Sequence, residues 1–258
     1  PTLADYRALL GKVDAVSVAV PTANHYEIAR ACLLAGSDVL VEKPITRTLP
    51  EADELVAVAA REGRILQVGH SERYNGAVQA LARQVKDPGF IEVHRMGPFP
   101  GRGADVDVVL DLMIHDIDII LTLVKSPVTS VSAVGVPVVS DQVDIANARV
   151  EFASGCVANI TASRVTGERV RKIRVFQRDT SFVLDYANQE LHLFRQVAAD
   201  DGGKSRLTRI EVPVERVEPL RQELLDFVAS VRTRHPPMVS GEAGREAVAV
   251  ACQIIERL

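Results

Sequence analysis

The sequence predicts an α/β protein in two domains: a parallel sheet within residues 1–75, then an α+β domain with a large, mainly antiparallel open sheet within residues 76–258. Three observations predict this. Between Asp14 and Gly69 short apolar runs alternate with amphipathic helical stretches, the pattern of βαβ units. After about residue 85 the apolar period shortens to two, with turn residues between runs, as in antiparallel strands. Two further helical stretches close the chain and are placed with the second domain.

In order, residues 15–20 read as a strand, 25–35 as a helix, 39–41 as a strand, 50–61 as a helix and 65–68 as a strand. Gly36 and Gly63 follow their helices as stops, and Pro50 suits a first helical turn, where its missing N–H is no loss. Thr22 has the side chain of a helix N-cap. A helix over 76–85 leads to strands over 90–95, 128–138, 145–152, 156–163, 172–177, 181–186, 190–194 and 207–212. A helix over 106–124 lies between the first two of these, and helices over 219–232 and 242–258 come last. Asp200-Asp201-Gly202-Gly203-Lys204 reads as a flexible loop. The chain opens at Pro1, and residues 4–10 read as a helix feeding a strand with nothing before it, so a fragment of a longer protein is expected.

Composition narrows the function classes. With 47% hydrophobic and 25% charged residues in 258, the chain can bury two cores without covalent staples. Net charge is −4 and there is no extended lysine or arginine run, which argues against nucleic acid and anionic membrane surfaces and for a small-molecule ligand. Cys32, Cys156 and Cys252 are odd in number and far apart, so neither a disulfide framework nor a zinc site is expected, and a reducing cytoplasm fits. The most apolar stretch, residues 106–124, is broken by Asp107, Asp111, His115, Asp116 and Asp118, and no membrane span is expected.

Chemistry concentrates where strands end. The three parallel strands run into Pro21-Thr22 with His25, into Glu42-Lys43-Pro44, and into His70 with Glu72, Arg73 and Tyr74. In an open α/β sheet ligands bind outside the carboxyl ends of the strands, so this convergence marks a candidate site. Lys43, fixed by the rigid ring of Pro44, is the first catalytic candidate. Each residue also has a plainer reading: Lys43 as a surface lysine after an edge strand, His25 as the first residue of its helix, and His70 with Arg73 as a solvated loop or an ion pair at a domain junction.

The helix over 106–124 is apolar around most of its circumference, and Asp111, His115 and Asp118, spaced by four and three, share one face. Burying such groups is costly unless they are paired or functional. An aspartate one turn from a histidine orients the imidazole and raises its basicity. A satisfied structural pair at a domain junction explains the same spacing.

Pro21-Thr22 with His25, Glu42-Lys43-Pro44, Val68-Gly69-His70-Ser71-Glu72-Arg73-Tyr74-Asn75 and Asp111-x-x-x-His115 resemble, in the same order, the motifs of the glucose-fructose oxidoreductase and inositol dehydrogenase family (Gfo/Idh/MocA), over essentially the whole chain. The resemblance implies a nicotinamide-dependent dehydrogenase that oxidises a secondary hydroxyl of a sugar, cyclitol or sugar nucleotide, with NAD or NADP as cofactor and NAD favoured. Lys43 would contact the nicotinamide ribose and the substrate hydroxyl and stabilise a developing alkoxide. His115 would be the general acid/base, assisted by Asp111, and either His115 or Lys43 would take the hydroxyl proton. Pro21, Thr22, His25, Glu42 and Pro44 would border the cofactor, and His70, Arg73, Tyr74, Arg102 and Asp118 the substrate. A homo-oligomer, dimer or tetramer, through the open sheet is also implied. The parallel sheet would be an N-terminally truncated Rossmann-type domain: the family's glycine-rich turn is not found, and at least a first βαβ unit, ~30 residues, is expected to be missing. Gly69-His70-Ser71-Glu72-Arg73-Tyr74-Asn75, Gly97-Pro98-Phe99-Pro100-Gly101-Arg102 and the Asp111 helix look most like the members that oxidise C3 of UDP-N-acetylglucosamine. A non-catalytic protein that binds or senses a nucleotide sugar on the same fold is the alternative.

Overall fold

The computed structural model describes residues 2–99, 106–197 and 206–258 and divides into two compact units, Pro1–Arg73 with Leu220–Cys252, and Tyr74–Pro219 with Gln253–Leu258. The expected loop at 200–204 lies outside the described residues, as does Arg102.

The first unit opens with a short 3-10 turn, Tyr6–Leu9, where a longer helix is predicted; the Asp5 side chain accepts from the Arg7 amide and closes it. Strand β1 (Ala15–Val18), helix α1 (His25–Leu34), strand β2 (Asp38–Glu42), helix α2 (Leu49–Arg61) and strand β3 (Leu66–Gly69) follow. The strands pair in parallel in the order β1-β2-β3. Val39, Leu40 and Val41 are buried, as the unbroken apolar run of a strand covered on both faces requires. A capping box joining Thr48 and Glu51, with Pro50 in the first turn, starts α2. Gly36 and Gly63 end α1 and α2 in left-handed backbone.

The second unit contains helix α3 (Gly76–Gln84), strand β4 (Pro88–Met96), a π turn (Val109–Met113) running into helix α4 (Ile114–Val124), and strands β5 (Val128–Val136), β6 (Ile145–Phe152), β7 (Val157–Ser163), β8 (Val170–Gln177), β9 (Thr180–Asp185), β10 (Glu190–Val197) and β11 (Arg206–Glu211). Among the described residues these strands form one sheet in the order β11-β10-β9-β8-β4-β7-β6-β5, antiparallel except for β4 with β7. The alternation legible in the sequence sorts its two faces. Ile91, Val93, Ala158, Ile160, Ile173 and Val175 are buried. On the opposite face Glu92 pairs with Arg174 and Arg149 with Glu151, while Val134, Phe176 and Leu207 stand exposed.

Helices α5 (Pro219–Thr233) and α6 (Gly241–Ile255) correct the expected division. They are predicted with the second domain, yet Leu220–Cys252 belongs with the first unit. The cause is the free edge of β3: the Val68 amide donates to the Val239 carbonyl, and Gln67 bridges Ser240 in antiparallel register. Helix α6 then lies so close to β3 that a Cβ on Gly244 would sit 2.5 Å from a Val68 methyl. Arg234 adds bonds to the Asp38 carboxylate (2.6 Å) and the Gly63 carbonyl (2.7 Å). Among the described residues no helix is long and apolar enough to cross a membrane.

Candidate active site

At the carboxyl end of the parallel sheet, Pro21 is exposed and Thr22 opens a 3-10 turn, Thr22–Asn24, so Thr22 does not cap α1 as predicted. The His25 ring is 1% exposed; Nδ1 lies 2.8 Å from the Pro44 carbonyl oxygen and Nε2 2.9 Å from that of Val20. One imidazole therefore ties the chain leaving β1 to the chain leaving β2. It holds the Lys43-Pro44 step, a cis peptide, against the sheet end. Glu42 and Lys43 are half-buried there. Glu42 stands opposite Gly69 in the ladder, where a Cβ would meet the Glu42 carboxylate at 2.9 Å and its Cα at 3.2 Å. Glycine at 69 is what lets the Glu42 side chain lie across β3.

Beyond β3 the burial is heavier than a solvated loop allows. His70 is 1% and Tyr74 2% exposed, which leaves little surface to offer a ligand, and the half-buried Arg73 donates to the Met238 carbonyl at 3.1 Å. Asn75 caps α3 by accepting from the Ala77 amide, and its amide nitrogen donates to the Tyr186 carbonyl.

In the second unit the predicted α-helix over 106–124 is two structures. Asp107 accepts from the amides of Val109 (2.8 Å) and Leu110 (3.0 Å), and the chain then makes a π turn in which the Ile114 amide reaches back five residues to the Val109 carbonyl. Regular α-helix begins at Ile114. The expected single face therefore needs correcting: α-helical spacing holds from His115 to Asp118, but Asp111 sits in a wider turn, an irregularity often found at functional sites. Asp111 and His115 are half-buried, whereas Asp118 is 2% exposed. Lys43 belongs to the first unit, and Asp111 with His115 to the second.

Two buried ion pairs that the sequence reading missed grip this helix. Arg95 on β4 donates to Asp116 through Nε (2.7 Å) and a terminal nitrogen (2.9 Å), a two-pronged contact, and its guanidinium lies 5.0 Å from the centre of the Tyr186 ring. Arg164, just past β7, donates to Asp144 at 2.8 Å with both side chains at most 1% exposed. The other Asp144 oxygen accepts from the amides of Val138, Val139 and Ser140. Burial alone would raise the Asp144 carboxyl; the Ser140 and Val139 amides, the Ser140 hydroxyl and Arg164 outweigh it and hold the group far below the usual carboxylate range. Nothing local announces Arg95–Asp116. Asp144–Arg164 does have a signal: the register that sets Ile145 opposite Ser163 in the β6–β7 hairpin sets Asp144 opposite Arg164.

A three-stranded parallel sheet with polar groups at its carboxyl end, followed by a helix-backed open sheet, is an architecture in which open α/β folds bind ligands at the strand ends. Residues 1–70 match the model of the oxidoreductase family with an NAD-binding Rossmann fold, and residues 92–183 the GFO/IDH/MocA C-terminal domain. The chain is 37% identical to UDP-N-acetylglucosamine 3-dehydrogenase of Acidithiobacillus ferrooxidans over 96% of its own length and 79% of that enzyme's. A solved structure of that enzyme superposes with a TM-score of 0.93 at 35% identity, covering 99% of this chain and 82% of the other. Myo-inositol 2-dehydrogenase of Thermotoga maritima is 27% identical over 92% of this chain and 75% of its own. The chain belongs to the Gfo/Idh/MocA oxidoreductase family and is a nicotinamide-dependent dehydrogenase.

Proposed function

We propose that the protein oxidises a secondary hydroxyl of a sugar nucleotide, C3 of UDP-N-acetylglucosamine, with NAD as the electron acceptor. The observation that carries this reading is its identity of 37%, over 96% of the chain, to an enzyme named for that reaction. The Thr22 hydroxyl and the Lys43 ammonium, on the segments leaving β1 and β2, are donors of the kind that the ribose and phosphate oxygens of a dinucleotide require. A nicotinamide dinucleotide held by these residues would supply the hydride acceptor for the carbinol carbon.

The chain's own residues handle the proton and the charge. The His115 imidazole accepts the hydroxyl proton, since a histidine titrates near working pH. Asp111, one turn earlier, stabilises the imidazolium that results. The Lys43 ammonium stabilises the developing alkoxide. Pro21, Glu42 and Pro44 shape the cofactor end, and His25 acts by holding the Pro44 carbonyl. A cytoplasmic homo-oligomer joined through the open face of the large sheet completes the proposal, supported by exposed Val134, Phe176 and Leu207 on that face and, for the reducing compartment, by the buried thiols of Cys32 and Cys156, which form no disulfide.

The test is cofactor reduction by the purified protein, with NAD or NADP, on UDP-N-acetylglucosamine against myo-inositol and free glucose. NAD reduction with the sugar nucleotide is expected; no reduction with it would sink the substrate assignment. His115→Ala should lower turnover by about 10²- to 10⁴-fold. Unchanged turnover would remove His115 from the chemistry, and sedimentation of a monomer alone would remove the oligomer.

A further inference from the structure

We propose that Arg164 is a positioning residue for proton transfer: its buried guanidinium fixes the start of the helix that carries Asp111 and His115. The inference rests on the assignment of those two residues to the acid/base step.

The guanidinium is used in several directions at once. Nε donates to Asp144 (2.8 Å), one terminal nitrogen to the Val106 carbonyl (2.8 Å), and the other to the Ser140 hydroxyl (3.2 Å). Its carbon also lies 5.9 Å from the centre of the Phe99 ring. Val106 is thus held by this side chain, with the Phe99 ring beside it.

From Val106 the restraint passes along consecutive residues. Asp107 closes the first turn by accepting from Val109 and Leu110, and the Val108 amide donates to the Val143 carbonyl at 3.0 Å, next to Asp144. The Asp111 amide then bonds the Asp107 carbonyl at 3.0 Å, and three residues later the π turn hands over to the α-helix at Ile114, beside His115. π turns are rare and occur mostly as single turns, so their rotational setting depends on what anchors the flanking chain. Here the anchor is a planar fork with fixed donor directions, itself held by Asp144, whose second oxygen is occupied by three amides. Lysine cannot reproduce it: a single ammonium does not span Asp144, Val106 and Ser140 in one plane.

A merely structural arginine would also lower stability when removed, so the test is a double-mutant cycle on turnover. Arg164→Lys is expected to lower kcat about 10- to 100-fold, the scale of an ångström-level misplacement, with the KM for NAD within about twofold of wild type. In a His115→Ala background the same change should cost nothing further, because the group it positions is gone. Hydrogen exchange read without substrate should show faster exchange over residues 106–115 and unchanged exchange over α3. If Arg164→Lys does not fold, Ser140→Ala keeps the ion pair and removes one guanidinium partner, with an expected fall in kcat of about 2- to 10-fold that likewise vanishes without His115. Wild-type kcat in folded Arg164→Lys, or an equal loss in both backgrounds, overturns the proposal. Wild-type turnover in His115→Ala alone instead overturns the acid/base assignment beneath it.

Discussion

The two units hold their candidate residues by opposite means. At the end of the parallel sheet the devices are short and largely main-chain: a histidine between two carbonyls, a glycine that makes room for Glu42, and strand pairing that adds Val239 and Ser240 to β3. The helix of the second unit is gripped by buried charge, Arg95 on Asp116 and Arg164 beside Asp144. Where the first unit places an arginine on a buried aspartate, Arg234 on Asp38, the arginine remains 45% exposed. A strand end is already positioned by its sheet and needs little more. A helix on a sheet face can slide and rotate, and directional ionic contacts remove that freedom at the cost of desolvating them.

The largest expected effect breaks the charged device. Asp144→Asn leaves Arg164 buried without its counter-charge and should cost about 3–5 kcal/mol at neutral pH, read by urea titration. Acid sharpens the same comparison. The Asp144 carboxyl lies lower in the folded protein than in the unfolded chain, so its contribution is fully present above the unfolded value of about 3.9 and is lost as pH falls toward the folded one. The gap between wild type and Asp144→Asn should therefore begin to narrow below about pH 4; a gap constant into stronger acid would contradict the depressed carboxyl. In the first unit Gly244→Ala forces a methyl to within 2.5 Å of buried Val68 and should cost about 1–3 kcal/mol, seen as a lowered melting temperature. Arg234→Ala removes an arginine from a buried aspartate just as Asp144→Asn does the reverse, yet the Arg234 end of that pair is open to water, and a smaller loss of about 1–2 kcal/mol is expected. Equal losses for Arg234→Ala and Asp144→Asn would erase the contrast between the units.

What the sequence disclosed follows the same line. The strand ends before Thr22, Lys43 and His70 were legible because each short apolar run stops at consecutive polar residues. The boundaries of β6 over residues 145–152 and the start of α5 at Pro219 were legible from alternation and from proline. The allegiance of α5 and α6 was not, because amphipathicity says that a helix has a buried face and not which sheet buries it. The π turn was not, because Val109-Leu110-Asp111-Leu112-Met113 is ordinary helical sequence with no glycine or proline to mark an irregular turn. Arg95 and Asp116 looked like any strand arginine and helix aspartate.

Strand β4 carries a consequence for the order in which the second unit assembles. Strands β5, β6 and β7 form a meander from neighbouring sequence, and β8 to β11 form another, whereas Phe90 of β4 pairs with both Val157 and Phe176. Loop closure favours the two local meanders first, and the sheet becomes continuous only when the early-synthesised β4 enters between them. In pulse-labelled refolding, β4 amides should gain protection last, after those of both meanders; protection of β4 before either would rule out this order of assembly.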